Sequence, residues 1–272
     1  MADVVPLRRE DFGPVGMERS GAVLRLTLAN PPANALSIAV MEALCGRLDT
    51  AAAMAGVHVV VLASTGAVFS AGHDLKEMTA HRADPDDGRG FFEKTMRLAA
   101  DLMLKIAALP QPVIAEVDGL ATAAGCQLVA TCDLAVCTDT STFCTPGVNI
   151  GLFCSTPMVA VTRAAHPKQA MEMLLTGETI DAATAKDFGL VNRIVPKQYL
   201  RQVVDKYAAV IASKSPEALR IGKAAHRAQA GLPLPEAYDK AVAVMVDNML
   251  RDDAKEGIGA FLAKRMPTWE KT

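Results

Sequence analysis

Two stretches of this chain share one plan, and that plan constrains the fold more than any other feature. Residues 59–75 read VVVLASTGAVFSAGHDL, and residues 112–134 read PVIAEVDGLATAAGCQLVATCDL. Each starts as a near-continuous apolar run, passes through a turn of small residues and opens into a helix. An apolar run without alternation belongs in a sheet covered on both faces, as parallel strands are. A helix start leaves backbone N–H groups without intrahelical partners, with the positive end of the helix dipole behind them. Two such N–H groups converging on one point stabilise developing negative charge. Small residues (Ala71 and Gly72 in the first turn; Ala123, Ala124 and Gly125 in the second) let a ligand approach the backbone closely. The same spacing also fits two tight turns that only pack.

The rest of the chain extends the α/β pattern. Val23 to Leu28 reads as a strand ended by Asn30-Pro31-Pro32. A helix is expected from about Ile38 to Met54, with Ile38, Met41, Cys45, Leu48 and Ala52 on one face. Residues 80–90, AHRADPDDGRG, read as a mobile polar loop. A second helix from about Phe91 to Leu109 sets Phe92, Met96, Ala99, Met103 and Ile106 on one face, and Pro110 and Pro112 stop it. Val113–Val117 and Leu134–Cys137 are buried strands. Beyond about Thr156 helical patterns dominate, with helices near 181–188, 200–213, 216–230, 234–250 and 252–264. Gly189 stands at a helix C-terminus, and Ser215-Pro216-Glu217 forms an N-cap with proline at the first helical position.

Composition removes several classes of function. The net charge of −2 gives no footprint for nucleic acid or an anionic membrane, and 4% aromatic residues are too few for base-stacking platforms. No apolar run approaches the ~18–20 residues of a spanning helix. The first residues, MADVVPLRREDFGPVG, have no apolar signal core and are acidic for a transit peptide, so a cytoplasmic location is expected. Five of the six cysteines (Cys126, Cys132, Cys137, Cys144 and Cys154) crowd one region without a C-x-x-C pair or a nearby histidine. They read as buried free thiols, and no metal site is expected.

Four ordered segments carry a resemblance to a known family. FSAGHDLKEM, IAEVDGLATAAGCQLVATCDLAV, EMLLTGETIDAATAKDFGLVNRIVP and EGIGAFLAKRMPTW are similar, in that order, to motifs of the enoyl-CoA hydratase/isomerase (crotonase) family. Within the family, ATAAGCQLV and TPGVNIGLFCSTP are most similar to the "domain-containing protein 3" group. The resemblance implies an α/β fold, a right-handed spiral of ββα turns with a helical C-terminal trimerisation region. Residues 1–198 would form the spiral core, the first ~20 of them extended, and residues 199–272 the helical region. It also implies an acyl-CoA ligand, with coenzyme A as part of the substrate and no separate cofactor. Self-association as a homotrimer or a dimer of trimers is expected.

By position, the family's two thioester-oxygen donors fall on the backbone N–H groups of His73 and Ala124. Ala71, Asp74, Leu75, Lys76 and Ser155 would line the ligand, and Phe261 and Lys264 of a neighbouring subunit, with Arg265, would reach the adenosine end. The resemblance fails where the family has its two glutamates. Gln127 stands at the first position and Gly147 at the second. An amide is no base near neutral pH, and glycine has no side chain. Standard hydration is therefore expected to be weak or absent, which leaves two readings: an enzyme acting on an acyl-CoA enolate, or a non-catalytic acyl-CoA-binding or scaffolding homologue. The His73 ring is expected to point outward or line the entry. His81 belongs to the polar loop, Asp118 to an Asx-type turn and Asp133 to the framework. Glu116 is expected at a subunit contact or in solvent, and Cys154 and Ser155 as pocket lining.

Overall fold

A computed structural model describes residues 13–269. The expected extension of the N-terminal ~20 residues falls outside it for residues 1–12. From residue 15 the chain forms β1 (Val15–Ser20), paired antiparallel with β2 (Val23–Leu28). Then follow α1 (Ile38–Ala53), β3 (Val59–Ser64), β4 (Val68–Ser70), α2 (Leu75–Ala80) and α3 (Arg89–Ala108). Next come β5 (Val113–Val117), β6 (Leu120–Thr122), α4 (Ala124–Thr131), β7 (Leu134–Thr138) and β8 (Thr142–Cys144). The later elements are α5 (Ser155–Ala164), α6 (Pro167–Thr176), β9 (Ile180–Asp181), α7 (Ala182–Asp187) and β10 (Arg193–Val195). The helices α8 (Leu200–Ala212), α9 (Pro216–Gln229), α10 (Leu234–Met249) and α11 (Asp252–Leu262) end the chain.

The long strands, with the short β10 at one edge, form one sheet in the order β1-β2-β3-β5-β7-β10, parallel from β2 onward. The short strands, which the sequence reading missed, form a second sheet in the order β4-β6-β8-β9. Each is about three residues long, too short for a period-2 pattern to register. The parallel pairing of β4, β6 and β8 joins successive layers: Val68 and Ser70 of β4 meet Leu120 and Ala121 of β6, and Ala121 meets Phe143 of β8, while β9 adds antiparallel to β8. A repeated unit of long strand, short strand and helix is thereby stacked on itself.

Both faces of the long sheet are buried, as the continuous apolar runs require. On one face Leu24, Leu26, Val60, Leu62 and Ala115 join Met41, Leu44 and Leu48 of α1 and Leu102 and Ile106 of α3. On the other, Val59, Val61, Ile114 and Val136 pack on Leu200, Val204 and Ala208 of α8. At about 25 cal/mol per Å² of apolar surface, these layers are the main stabilising term. The buried face of α3 is turned slightly from the expected one: Thr95 and Leu102 are inside, and Phe92 and Met96 lie at its edge.

Two polar clusters tie later helices to this core. Arg25, 4% exposed, bonds Glu116 (2.7 Å) and Asp205 of α8 (2.9 Å). Glu116 is thus an ion-pair partner beneath α8, largely covered rather than turned to solvent, because Arg25 stands two strands away on the same face. The Lys223 ammonium on α9 meets Asp133 at 2.7 Å and the carbonyls of Gln111 (2.9 Å) and Ile106 (3.2 Å). Asp133 also accepts from Val113 N–H and Arg227, which fits its framework role. Asp118 lies in the turn between β5 and β6 as expected, but its carboxylate serves other partners than an Asx turn: it pairs with Lys197 at 2.8 Å and receives Thr138 Oγ1.

Candidate functional site

The first turn is held by an asparagine that the sequence reading passed over. Asn34 is fully buried at φ +47°, and it donates to the carbonyls of Thr65 (2.8 Å) and Val68 (2.7 Å) while accepting from Asn30 N–H (2.9 Å). Its own carbonyl accepts the Ser70 hydroxyl at 2.9 Å, and Ser70 Oγ accepts Gly72 N–H at 3.3 Å. Asparagine is among the few residues that tolerate this left-handed backbone, and its position just past Pro31-Pro32 was the available signal. The adjoining backbone then runs alongside the turn. Ala71 N–H donates to Ala33 O (2.9 Å), Leu36 N–H donates to Gly72 O (2.8 Å), and Leu36 and His73 form a parallel bridge. In that pairing Leu36 makes the bonds, so His73 turns its own N–H to the opposite side.

The second turn comes from β6 into α4. Ala123 N–H donates to Cys144 O at 3.0 Å, and Ala123 lies at φ +50°, ψ −118°, a region that favours glycine. This backbone sets the plane of the next peptide and hence the direction of Ala124 N–H, the first orphan donor of α4.

The two turns touch. A Cβ built on Gly72 would lie 3.0 Å from Ala124 N and 3.0 Å from Ala123 Cβ. One built on Gly125 would lie 2.3 Å from Ser70 O. Glycine at both positions is therefore what permits β4 and α4 to approach, and His73 and Ala124 are brought to one place. Asp74 caps α2 by accepting Lys76 N–H (2.9 Å) and Glu77 N–H (3.2 Å). Leu75 and Lys76 are exposed on the first turn of that helix. Ser155 opens α5, and its hydroxyl meets Phe153 O at 3.4 Å.

The His73 ring does not point outward. Both ring nitrogens are buried and have no hydrogen-bond partner among the described residues, and burial holds the imidazole below its ordinary pKa, hence neutral at pH 7. The bridge to Leu36 fixes the backbone from which this ring projects. Gln127 is 3% exposed, and its carboxamide oxygen is likewise unpartnered.

Gly147 lies in a 3₁₀ turn, Pro146–Ile150. A Cβ there would stand 2.6 Å from Leu152 O and 3.0 Å from Cys154 Sγ, so the chain's own next loop closes the space. Cys154 is buried, and desolvation raises its thiol pKa although Gly147 N–H lowers it. Cys132 and Cys137 are pushed up to about 12 by burial. Cys126 is also raised by burial, as a protonated interior thiol should be. Among the described residues, no three His, Cys, Asp or Glu side chains are grouped to hold a metal, and no helix is long and apolar enough to cross a membrane.

Residues 81–90 form a more built segment than a mobile loop. The His81 ring stacks on Phe91 at 3.7 Å and meets Asp84 at 2.8 Å, while Asp86 accepts the N–H groups of Gly88 and Gly90. Phe261 and Lys264 lie exposed at the far end of α11, which packs on α9 and α10. They are not brought to the two turns by α11's contacts within this chain.

The sequence profile of the enoyl-CoA hydratase/isomerase family matches residues 18–272. The chain is 44% identical over 248 residues to the rat protein "Enoyl-CoA hydratase domain-containing protein 3, mitochondrial", covering 91% of this chain and 81% of the rat one. It is similar in structure to an enoyl-CoA hydratase from Mycobacterium smegmatis (TM-score 0.89, 46% identity, 94% of this chain and 98% of that one). It is also similar to human enoyl-CoA hydratase domain-containing protein 3 (TM-score 0.89, 42% identity, 94% and 100%). Five vertebrate relatives, 41–44% identical, are named mitochondrial. That finding overturns the cytoplasmic expectation. Free buried thiols report reducing conditions and burial, and neither singles out the cytoplasm.

Proposed function

Since the chain belongs to the enoyl-CoA hydratase/isomerase family, we propose that it binds an acyl-CoA thioester with the thioester oxygen between the N–H groups of His73 and Ala124. The observation that carries this reading is the contact of the two turns, with the Gly72 Cβ position 3.0 Å from Ala124 N. Donors aimed at an oxygen where charge develops lower the cost of an enolate, and each is worth ~10²–10³-fold in rate. Coenzyme A is part of the ligand, with Ala71, Asp74, Leu75, Lys76 and Ser155 along it.

Standard hydration is weak or absent in this reading. Gln127 is no base, and Gly147 is closed off by Leu152 and Cys154. One positioned acid–base group contributes about 10²–10⁴-fold, and two are missing. The same closure favours the second reading, a protein that binds the thioester without converting it.

The helical part, residues 199–272, is assigned to self-association as a homotrimer or a dimer of trimers. Leu234, Tyr238, Val242, Met245 and Met249 form an exposed stripe at helical spacing along α10, which a second copy would cover. In such an assembly Phe261 and Lys264 reach a neighbour's ligand.

The test is a panel of saturated and 2-enoyl CoA thioesters in deuterated water, followed by mass. Hydration, hydrolysis and α-proton exchange each change the mass differently. Protein-dependent exchange without hydration supports the enolate reading, and binding without any change supports the second. Failure to bind every member refutes both.

A further inference from the structure

We infer that the His73 imidazole is the proton-transfer group of this site, taking and returning the α-proton of a bound acyl thioester. The inference rests on the thioester-binding reading above and adds a base to it.

The site has few other groups to choose from. Asp74 caps α2 through two backbone N–H groups, and Glu77 accepts Ile38 N–H at 3.1 Å at the start of α1. Both carboxylates serve helix termini. Gln127 and Gly147 carry no base, and the Cys126 and Cys154 thiols stay protonated because burial raises them. His73 alone among these combines a basic side chain with no side-chain partner: Nδ1 and Nε2 are both buried, neither makes a hydrogen bond of good geometry, and only the Leu36 backbone lies near enough to act on the ring. A buried polar group without a partner costs free energy, and such groups mark functional positions or missing ligands. The ring hangs from the residue whose N–H, in the reading above, meets the thioester oxygen, and in this proposal it rotates about its side-chain torsions to bring a nitrogen to the neighbouring carbon.

The step balances without a further reactant. A ring nitrogen takes the proton from the carbon next to the thioester carbonyl. The C–H electron pair becomes the new carbon–carbon double bond, and the charge moves to the oxygen held by His73 and Ala124. Reversal restores the thioester, with solvent deuterium in place of the proton if the ring has exchanged.

No charged side chain contributes to the lowered imidazole pKa. Burial is the cause, with the Leu36 backbone acting weakly against it. Asp74, Lys76 and Glu77 follow it at the start of α2, residues 33–36 carry no titratable group, and α4 offers Cys126. The free base therefore persists below the ordinary histidine pKa of ~6.5.

The experiment uses the full chain and butyryl-CoA in deuterated water, with binding measured separately by equilibrium dialysis. Wild type should exchange the α-protons, with a rate that rises through a midpoint below pH 6.5 and is flat above it. His73→Gln should lose about 10²-fold in exchange rate while binding within a few-fold. His73→Ala should be partly restored by added imidazole, an effect that a packing role would not produce. Exchange within three-fold of wild type in His73→Gln, or binding by wild type without exchange, overturns the inference and leaves the binding reading standing. No binding by wild type overturns both.

Discussion

Replacing Gly125 by alanine tests the contact on which the site depends. Gly125 is the second residue of α4, where alanine is favoured over glycine by up to ~1 kcal/mol. Helix propensity alone therefore predicts a more stable protein. The tertiary contact predicts the reverse. The new Cβ would lie 2.3 Å from Ser70 O, 2.8 Å from Ser70 Cβ and 2.9 Å from Ser70 C, so β4 and α4 must separate by about 1 Å to reach ordinary contact. Because the obstruction includes backbone, rotamer change cannot relieve it, and the cost falls at the upper end of the ~1–3 kcal/mol typical of overpacking. After the propensity gain, a net loss of about 2 kcal/mol remains, or ~4–8 °C in Tm for a chain of this size. A 1 Å misplacement of a positioned donor can cost about 10²-fold in rate, so butyryl-CoA exchange should fall too. Gly46→Ala, in exposed mid-α1 with nothing within 4 Å, is the control and should melt as high as wild type or higher. Thermal denaturation of the three proteins at one protomer concentration decides the matter. If Gly125→Ala melts with or above Gly46→Ala, the reasoning about the paired turns is wrong.

Three further perturbations probe other parts of the structure. Gly147→Glu, alone or with Gln127→Glu, should lower Tm and give no hydratase activity, because its Cβ meets Leu152 O at 2.6 Å; a crotonyl-CoA hydration assay checks this. Lys223→Met removes a nearly buried ammonium and leaves the Gln111 and Ile106 carbonyls and one Asp133 oxygen short of a partner, so denaturant unfolding should show a loss of about 3 kcal/mol. Arg265 and Thr268 N–H hold Glu256 down at a pKa of about 2, below its ordinary 4.5, so its contribution is present above pH 4.5 and is lost as pH falls from there toward 2. Trp269, the single tryptophan, donates to Ser213 O in this segment, and its emission should shift to the red over that acid range, and already at pH 7 in Glu256→Gln.

The sequence by itself determined β2, β3, β5 and β7, the helices α1–α4 and α7–α11, and their order, while β1, β10, α5 and α6 went unread. Val59–Leu62 and Val113–Val117 have no polar alternation, so they require a sheet buried on both faces, and α1 and α8 provide the two covers. Ser215 with Pro216 marked the start of α9 because a cap and a proline act locally. The motifs around His73 and Ala124 also identified the family, since motif order survives in one dimension. Tertiary structure alone decided what lies between these elements. Strands β4, β6 and β8 are too short to carry a period, and only their mutual pairing brings the two turns together. Asn34 lies 36 residues from Ser70, and nothing local links them until the chain folds. The sequence showed that Gly147 lacks a carboxylate, but only the fold shows Leu152 and Cys154 filling the space one would need. The His73 ring went inward as well: it projects from a backbone bridged to Leu36, a contact across 37 residues that no local pattern encodes.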